Sequence, residues 1–339
     1  ALFFDREVAE RLGPLLTRRA DGVPFFVFEL VRGLGESGRL RRRGDGRYEE
    51  VVRVDTIEAP PTVRDLVRLR LAELSDDERH LIDVAAVQGF AFDPPLQAAV
   101  LQMPRVKVLQ TLAWIERRGG LVRSHGARYQ FDHHLVQEVV RSTLPLPLRQ
   151  EYHALLAEAL AAHEEVDLAS GSGATDRVAH QLAVHLIEST DPHACLPFVR
   201  PAIRHLSVHA GEEPSRAFLC RVLDELDRIP PADRIDLLLR YAGGLHAVGR
   251  QEEEQGVLDE AETIADRVGD EPLRTRVAMA RGMAWMHRAR PEKAVEALRT
   301  AIGRADAGGF DDVGALARQH LGFVYSKTGR HEEALEQYA

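Results

Sequence analysis

This sequence predicts a mostly α-helical fold, with a short helical region and two small hairpins first and an α-solenoid after them. Three observations carry that expectation. Apolar residues recur at helical spacing over nearly all of the 339 positions. Strand-like alternation is confined to two short stretches, 39–58 and 121–131. Small and large residues recur at a fixed step of 40 towards the C-terminus.

Composition narrows the classes. A hydrophobic content of 45% is enough to bury a real core, and the length allows about two or three domains. The two cysteines, Cys195 and Cys220, form no CxxC pair and no disulfide framework, which suits a reducing, cytoplasmic setting. No run approaches 18 apolar residues and no basic-apolar leader opens the chain, so no membrane partner is expected. The start at Ala1 and the end at Ala339, inside a helical pattern, suggest a piece of a longer polypeptide. Residues 1–60 are balanced in charge, 61–150 carry a net of +2, and 151–339 a net of −11. An acidic C-terminal half repels phosphate and argues against nucleic acid there. Arginine outnumbers lysine 41 to 3, a bias that fits genomic base composition better than function.

The elements follow in order. Val8, Leu12, Leu15 and Leu16 mark a first helix, and the loop Asp21-Gly22-Val23-Pro24 leads into an apolar helix that ends near Gly35 or Gly38. Residues 39–58 read as a hairpin turning at Gly44-Asp45-Gly46, with arginines on its open face, and Pro60-Pro61 closes this segment, 1–60. A helix from Thr62 comes next. Ser75 then stands three residues before Glu78, a capping-box spacing ahead of RHLIDVAAV. Asp93-Pro94 opens a short helix to Leu101, Arg105 to Arg118 form another, and Gly119-Gly120 stop it. Two strands turning at Gly126 follow, and a helix begins at His133. Three helices and then a two-stranded hairpin is the order of a winged helix-turn-helix, assigned to 61–148. Residues 149–234 read as a helical linker or degenerate repeats, broken by Ser170-Gly171-Ser172-Gly173 and Pro230-Pro231.

Residues 235–339 carry the repeat. Ala242, Gly282 and Gly322 share one position, Leu245, Trp285 and Tyr325 a second, and Gly249, Ala289 and Gly329 a third. Leu258, Leu298 and Tyr338 keep the same step, Ala261 and Ala301 with them, while Glu254 departs from Ala294 and Ala334. A small residue belongs where helix B crosses helix A closely, bulky residues fill the space one turn on, and the turn between them needs a small residue. The pattern resembles tetratricopeptide repeats of 40 residues, most clearly in LGFVYSKTGRHEEALEQY, with an incomplete last repeat. Ala202, Ala210 and Ala217 give a faint echo upstream.

Gly22-Val23-Pro24-Phe25-Phe26, the winged helix, and Tyr129-Gln130-Phe131-Asp132-His133-His134 occur in an order that, with the repeats, resembles the C-terminal two-thirds of a STAND-type signalling ATPase of the bacterial kind. The resemblance implies a helical lid remnant at 1–60 that leans a proline on adenine, matched by Gly22 and Pro24, with Val23 where asparagine or leucine is common. It implies a histidine that touches the β-phosphate of ADP, matched by His133, with His134 where the family has aspartate. It further implies a regulatory role that relays ADP or ATP state, with Mg, from an upstream NTPase core to a repeat surface holding a protein or peptide. Oligomerisation on activation would follow. The chain itself has no GxxxxGK[ST] loop and no paired acids after an apolar strand; GFVYSKT from Gly322 lacks the second glycine and is one residue short. No catalytic activity and no cofactor are therefore expected from this chain alone.

Other readings remain on the table. A plain repeat adaptor without nucleotide sensing is one. A DNA-binding winged helix is another, resting on Lys107, Arg117, Arg118, Arg123 and Arg128, a thin set for phosphate contacts; Trp114 and Ile115 suit a core or an interface. His205 and His209 stand at a zinc-compatible spacing without a third ligand, and His180 and His185 do not share a face, so no metal is expected. Asp76-Asp77, Glu164-Glu165 and Glu252-Glu253-Glu254 read as solvated acids.

Overall fold

The computed structural model describes residues 6–20, 24–43, 47–54, 61–119 and 121–338. The expected turn Gly44-Asp45-Gly46 lies outside them. The chain divides into two compact units, residues 1–173 with 184–191, and residues 174–183 with 192–339. Among the described residues no helix is long and apolar enough to cross a membrane.

The first unit opens with α1 (Arg6–Ala20) and α2 (Pro24–Glu36), which bury Leu12, Leu16, Leu30 and Leu34. The hairpin β1 (Leu40–Arg42) and β2 (Tyr48–Glu50) pairs Leu40 with Glu50. It is shorter than the alternation at 39–58 suggests. Arg41 and Arg43 each donate to Glu49 at 2.6 Å, hydrogen bonds that hold its carboxyl below the usual range. Helices α3 (Pro61–Ala72) and α4 (Asp76–Gln88) follow, and both halves of the Ser75–Glu78 capping box are made.

Next come β3 (Ala91–Phe92), α5 (Pro94–Val100), α6 (Arg105–Arg118), β4 (Val122–His125), β5 (Arg128–Phe131) and α7 (His134–Thr143). The sheet is antiparallel in the order β3-β5-β4, with Phe92 opposite Tyr129 and Val122 opposite Phe131. Strand β3 escapes the sequence reading because two residues hold no detectable alternation. It completes a helix, strand, helix, helix, hairpin order around Leu81, Ile82, Val108, Leu112, Phe92 and Phe131, and the same core continues into α1 and α2. Helix α8 (Leu146–His163) packs on α4 and α5. Helix α9 (Asp176–Ile187) is divided between the two units.

The second unit is a ladder of helix pairs. After α10 (Leu196–His209) and α11 (Glu212–Glu225), the A helices α12 (Pro231–Ala247), α14 (Glu271–His287) and α16 (Asp311–Lys327) start 40 residues apart. So do the B helices α13 (Gln251–Val268), α15 (Pro291–Gly308) and α17 (His331–Tyr338). A Cβ on Gly282 would lie 2.6 Å from Leu298 Cγ, and one on Gly322 2.7 Å from the Tyr338 ring, so the small position is the A–B crossing. Ala242 packs against Leu258 in the same relation. The turn residues Gly249, Ala289 and Gly329 all have positive φ, 75°, 53° and 78°. Ala202 and Phe218, both buried, stand one step of 40 before Ala242 and Leu258, so the pair α10–α11 keeps the repeat's packing positions. The fold is mostly α, with small antiparallel strands and a tetratricopeptide-like solenoid.

Candidate functional site

The residues singled out by the sequence fall in both units. In the first, β5 delivers Asp132 and His133 to the start of α7. The Asp132 amide donates to the Leu121 carbonyl at 2.9 Å, which fixes the turn out of the sheet. His133 is the N-cap of α7, in extended backbone, with Nδ1 accepting from the Leu135 amide at 3.0 Å. It is 3% exposed. The His134 ring stacks on Phe90 at 3.7 Å. Pro24 is the first residue of α2, where proline's fixed φ and missing N–H suit a helix start. Gly22 lies outside the described residues. Pro24 and His133 thus both stand at helix N-termini, the end of a helix that favours anions.

The would-be recognition helix α6 is less basic in space than in sequence. Lys107 pairs with Asp77 at 2.7 Å, Arg128 with Asp93 at 2.7 Å, and Arg118 lies 3.7 Å from Glu73 and 3.8 Å from Glu78. Arg117 sits over the Trp114 ring. What α6 exposes instead is Val106, Leu109 and Trp114, the last 51% accessible, while Ile115 is core. An apolar face fringed by neutralised charges suits protein contact better than phosphate.

In the second unit the A helices α12, α14 and α16 stand side by side, and positions 236, 240 and 243 fall on one face at helical spacing. Asp236, buried on α12, receives Arg240 at 2.9 Å, Arg276 of α14 at 2.6 Å and Arg200 of α10 at 3.1 Å. Burial works to raise its carboxyl, but the hydrogen bonds from Arg240 and Arg276 hold it below the usual value. Three guanidiniums face Asp236 and, beside Arg200 at 3.9 Å, Asp233, so this end of the face keeps an excess of positive charge. A cleft of about 210 Å³ beside Arg200 is lined by Leu196, Pro197, Val199, Asp233 and Leu237. Further along, apolar residues stand at several equivalent positions, Leu316 two steps from Asp236, and Met283 and Phe323 one and two steps from Gly243, with Leu316 and Phe323 exposed and His320 between them.

Among the described residues, histidines come together in both units. In the first unit, His153 and His185 face each other. In the second, His205 meets both His180 and His209, with ring centroids 5.5 and 4.6 Å apart. A third group joins His246, Glu254 and His287. Here the sequence reading needs correction: Glu252 and Glu253 are solvated, but Glu254 is buried, because the helical turn that leaves its two neighbours outside carries it inside. Its Oε2 lies 3.3 Å from Arg288. No signal short of the repeat alignment could have found it.

No protein-family profile matches the chain, and no curated protein does. Among solved structures it is similar to a STAND protein with a tetratricopeptide repeat sensor from Pyrococcus horikoshii, at 11% identity and a TM-score of 0.36 over 97% of this chain. The chain spans about half the length, 50%, of that protein. It is also similar to a Rap protein complexed with competence and sporulation factor, at 14% identity and a TM-score of 0.40, over 81% of this chain and 75% of that one. Aspartyl phosphate phosphatase F from Bacillus subtilis matches at 11% identity and a TM-score of 0.42, over 81% and 66% respectively.

Proposed function

We propose that this chain is the relay and partner-binding portion of a nucleotide-switched regulator in the cytoplasm. Its repeats hold a protein or peptide on the A-helix face, and the winged region reports ADP or ATP state from an upstream NTPase core. The observation that carries the binding role is the A-helix face, where Arg200, Arg240 and Arg276 gather around Asp236 at one end and exposed Leu316 and Phe323 stand at the other. Such a face suits a segment with an acidic end and an apolar end. The nucleotide role rests on Pro24 and His133, both at helix N-termini, within the sequence order that resembles STAND-type ATPases. Gly22 belongs to the same reading.

His133 offers a clean test, because its cap and its imidazole are separable. Asparagine keeps an N-cap acceptor, while alanine removes it at a cost of roughly 0.5–2 kcal/mol. In the protein with its NTPase core, His133→Asn is expected to fold with near wild-type stability yet release ADP about ten- to a hundredfold more readily, the loss of one charge-assisted hydrogen bond. An unchanged ADP affinity in that variant would leave His133 as a cap alone. That outcome favours the second reading, a repeat adaptor without nucleotide sensing, which the Nδ1 bond to Leu135 supports by giving His133 a structural task. Limited proteolysis with and without ADP separates the two, since an adaptor does not respond.

A further inference from the structure

One departure from the repeat pattern and two histidines converge on one spot. Position 254 is glutamate where the next repeats have Ala294 and Ala334; position 246 is histidine where they have Met286 and Ser326; position 287 is histidine where its neighbours have Ala247 and Lys327. In the fold these three side chains, from α13, α12 and α14, bring one ligand atom each within 4.8 Å of one another. At the position of Glu254 the later repeats pack alanine, with Ala294 at 0% and Ala334 at 4% exposure. A buried carboxylate in its place costs desolvation and needs partners.

Arg288 satisfies only one side of it. Its guanidinium meets Oε2 at 3.3 Å and also donates to Gln255 Oε1 at 2.9 Å and to the Gln251 carbonyl. Oε1 faces His246 Nδ1 at 3.9 Å, too long for a hydrogen bond, and that nitrogen is buried without a hydrogen-bond partner. The His246 and His287 rings lie stacked, centroids 3.7 Å apart and planes 15° apart.

We propose that His246, Glu254 and His287 form a site for one divalent transition-metal ion, zinc by its donor chemistry, that ties the first 40-residue repeat to the second. Two imidazoles and a carboxylate are a zinc donor set with three protein ligands, and the fourth position is left to water. Tetrahedral bonds of about 2.0–2.1 Å put ligand atoms roughly 3.3 Å apart. The site reaches that by splaying the two stacked rings and turning Oε1 inward, all side-chain rotations, with the Arg288 contact to Oε2 kept. Because the ligands come from three helices, the ion would brace the α12–α13–α14 junction, where glutamate has replaced a packing alanine.

The test uses the whole 339-residue chain and two metal probes. Zinc chloride titrated calorimetrically is expected to bind with one ion per chain and to raise the thermal midpoint. Cobalt(II) in its place is expected to give the intense visible absorption of a tetrahedral site. His287→Ala, at an exposed helix end where folding is safe, should weaken zinc at least tenfold and abolish the cobalt band. His205→Ala, in the other histidine group of the same unit, should change neither. A folded wild type that binds no zinc at millimolar concentration overturns the proposal. So does binding that survives His287→Ala, or that is lost with His205→Ala instead.

Discussion

His153 and His185 share a hydrogen bond of 2.9 Å, Nδ1 to Nδ1, in the interior of the first unit. One neutral ring donates and the other accepts, so protonating the acceptor would set two N–H groups face to face. Burial is the main cause that brings His185 down to about 4 and His153 to about 3, His185 contributing to the latter, while Glu188 opposes the shift in both and Arg141 adds to it. The sign follows from the direction of the shifts. A folded-state value below the ordinary 6.5 means that the unfolded chain takes up protons first. The stability is therefore present in full above about pH 6.5 and is lost as pH falls towards about 4, at up to about 1.4 kcal/mol per pH unit for each ring. Urea unfolding followed in the first unit should show a clear loss between pH 7.5 and 5.0, and His153→Leu/His185→Leu should flatten that slope. A wild type equally stable at both values would contradict a buried neutral pair.

Elements are governed here by two repeat positions. Gly282 stands where helix α14 crosses Leu298 of α15, and Leu298 is fully buried. Gly282→Ala drives a methyl into a branched carbon with nowhere to retreat, an overpacking cost of roughly 1–3 kcal/mol. The same change at Gly322 should cost less, since the Tyr338 ring it meets is 53% exposed and can swing away. At the A–B turn the sign reverses. Ala289 holds φ at 53°, a left-handed backbone that its sister positions fill with glycine. Relief of that strain, roughly 1–2 kcal/mol, exceeds the extra unfolded-chain entropy of glycine, so Ala289→Gly should stabilise by about 0.5–1 kcal/mol. Denaturation midpoints of the three variants beside the wild type check both signs and the order of the two glycine changes. These positions were legible because close crossings and positive-φ turns restrict residue type, and the restriction recurs every 40 residues. Strand β3 was not legible, being too short to have a period. The inward turn of Glu254 was in the 40-residue alignment, which sets it at the packing position of Ala294 and Ala334, but three adjacent acids read as one polar face. The place of His133 at a helix start and a bond from it to backbone were legible as one reading of the residue; which amide it meets, Leu135, depends on a rotamer that sequence does not encode.

At the scale of the molecule, what matters is how far damage travels. The first unit has one core running from α1 to α7. The repeats have several smaller ones: Ala242, Leu258 and Ala284 in one, and Ala294, Leu298, Leu321, Val324 and Tyr325 in the next. In such a stack each repeat is held mainly by its neighbours, so stability is a sum of local terms rather than a single cooperative whole. Gly282→Leu places its bulk between two of these small cores, against Leu298. Hydrogen exchange is therefore expected to rise across α14 to α17, the pairs that meet at that crossing and the one stacked beyond it. Amides of α4, α6 and α7 around Leu81, Leu112 and Val139 should keep their protection, because none of their core partners is touched. A uniform loss of protection in both sets of amides would mean that the two compact units unfold as one. The separate cores would then not be separate folding units, and a ligand bound to either unit would stabilise both.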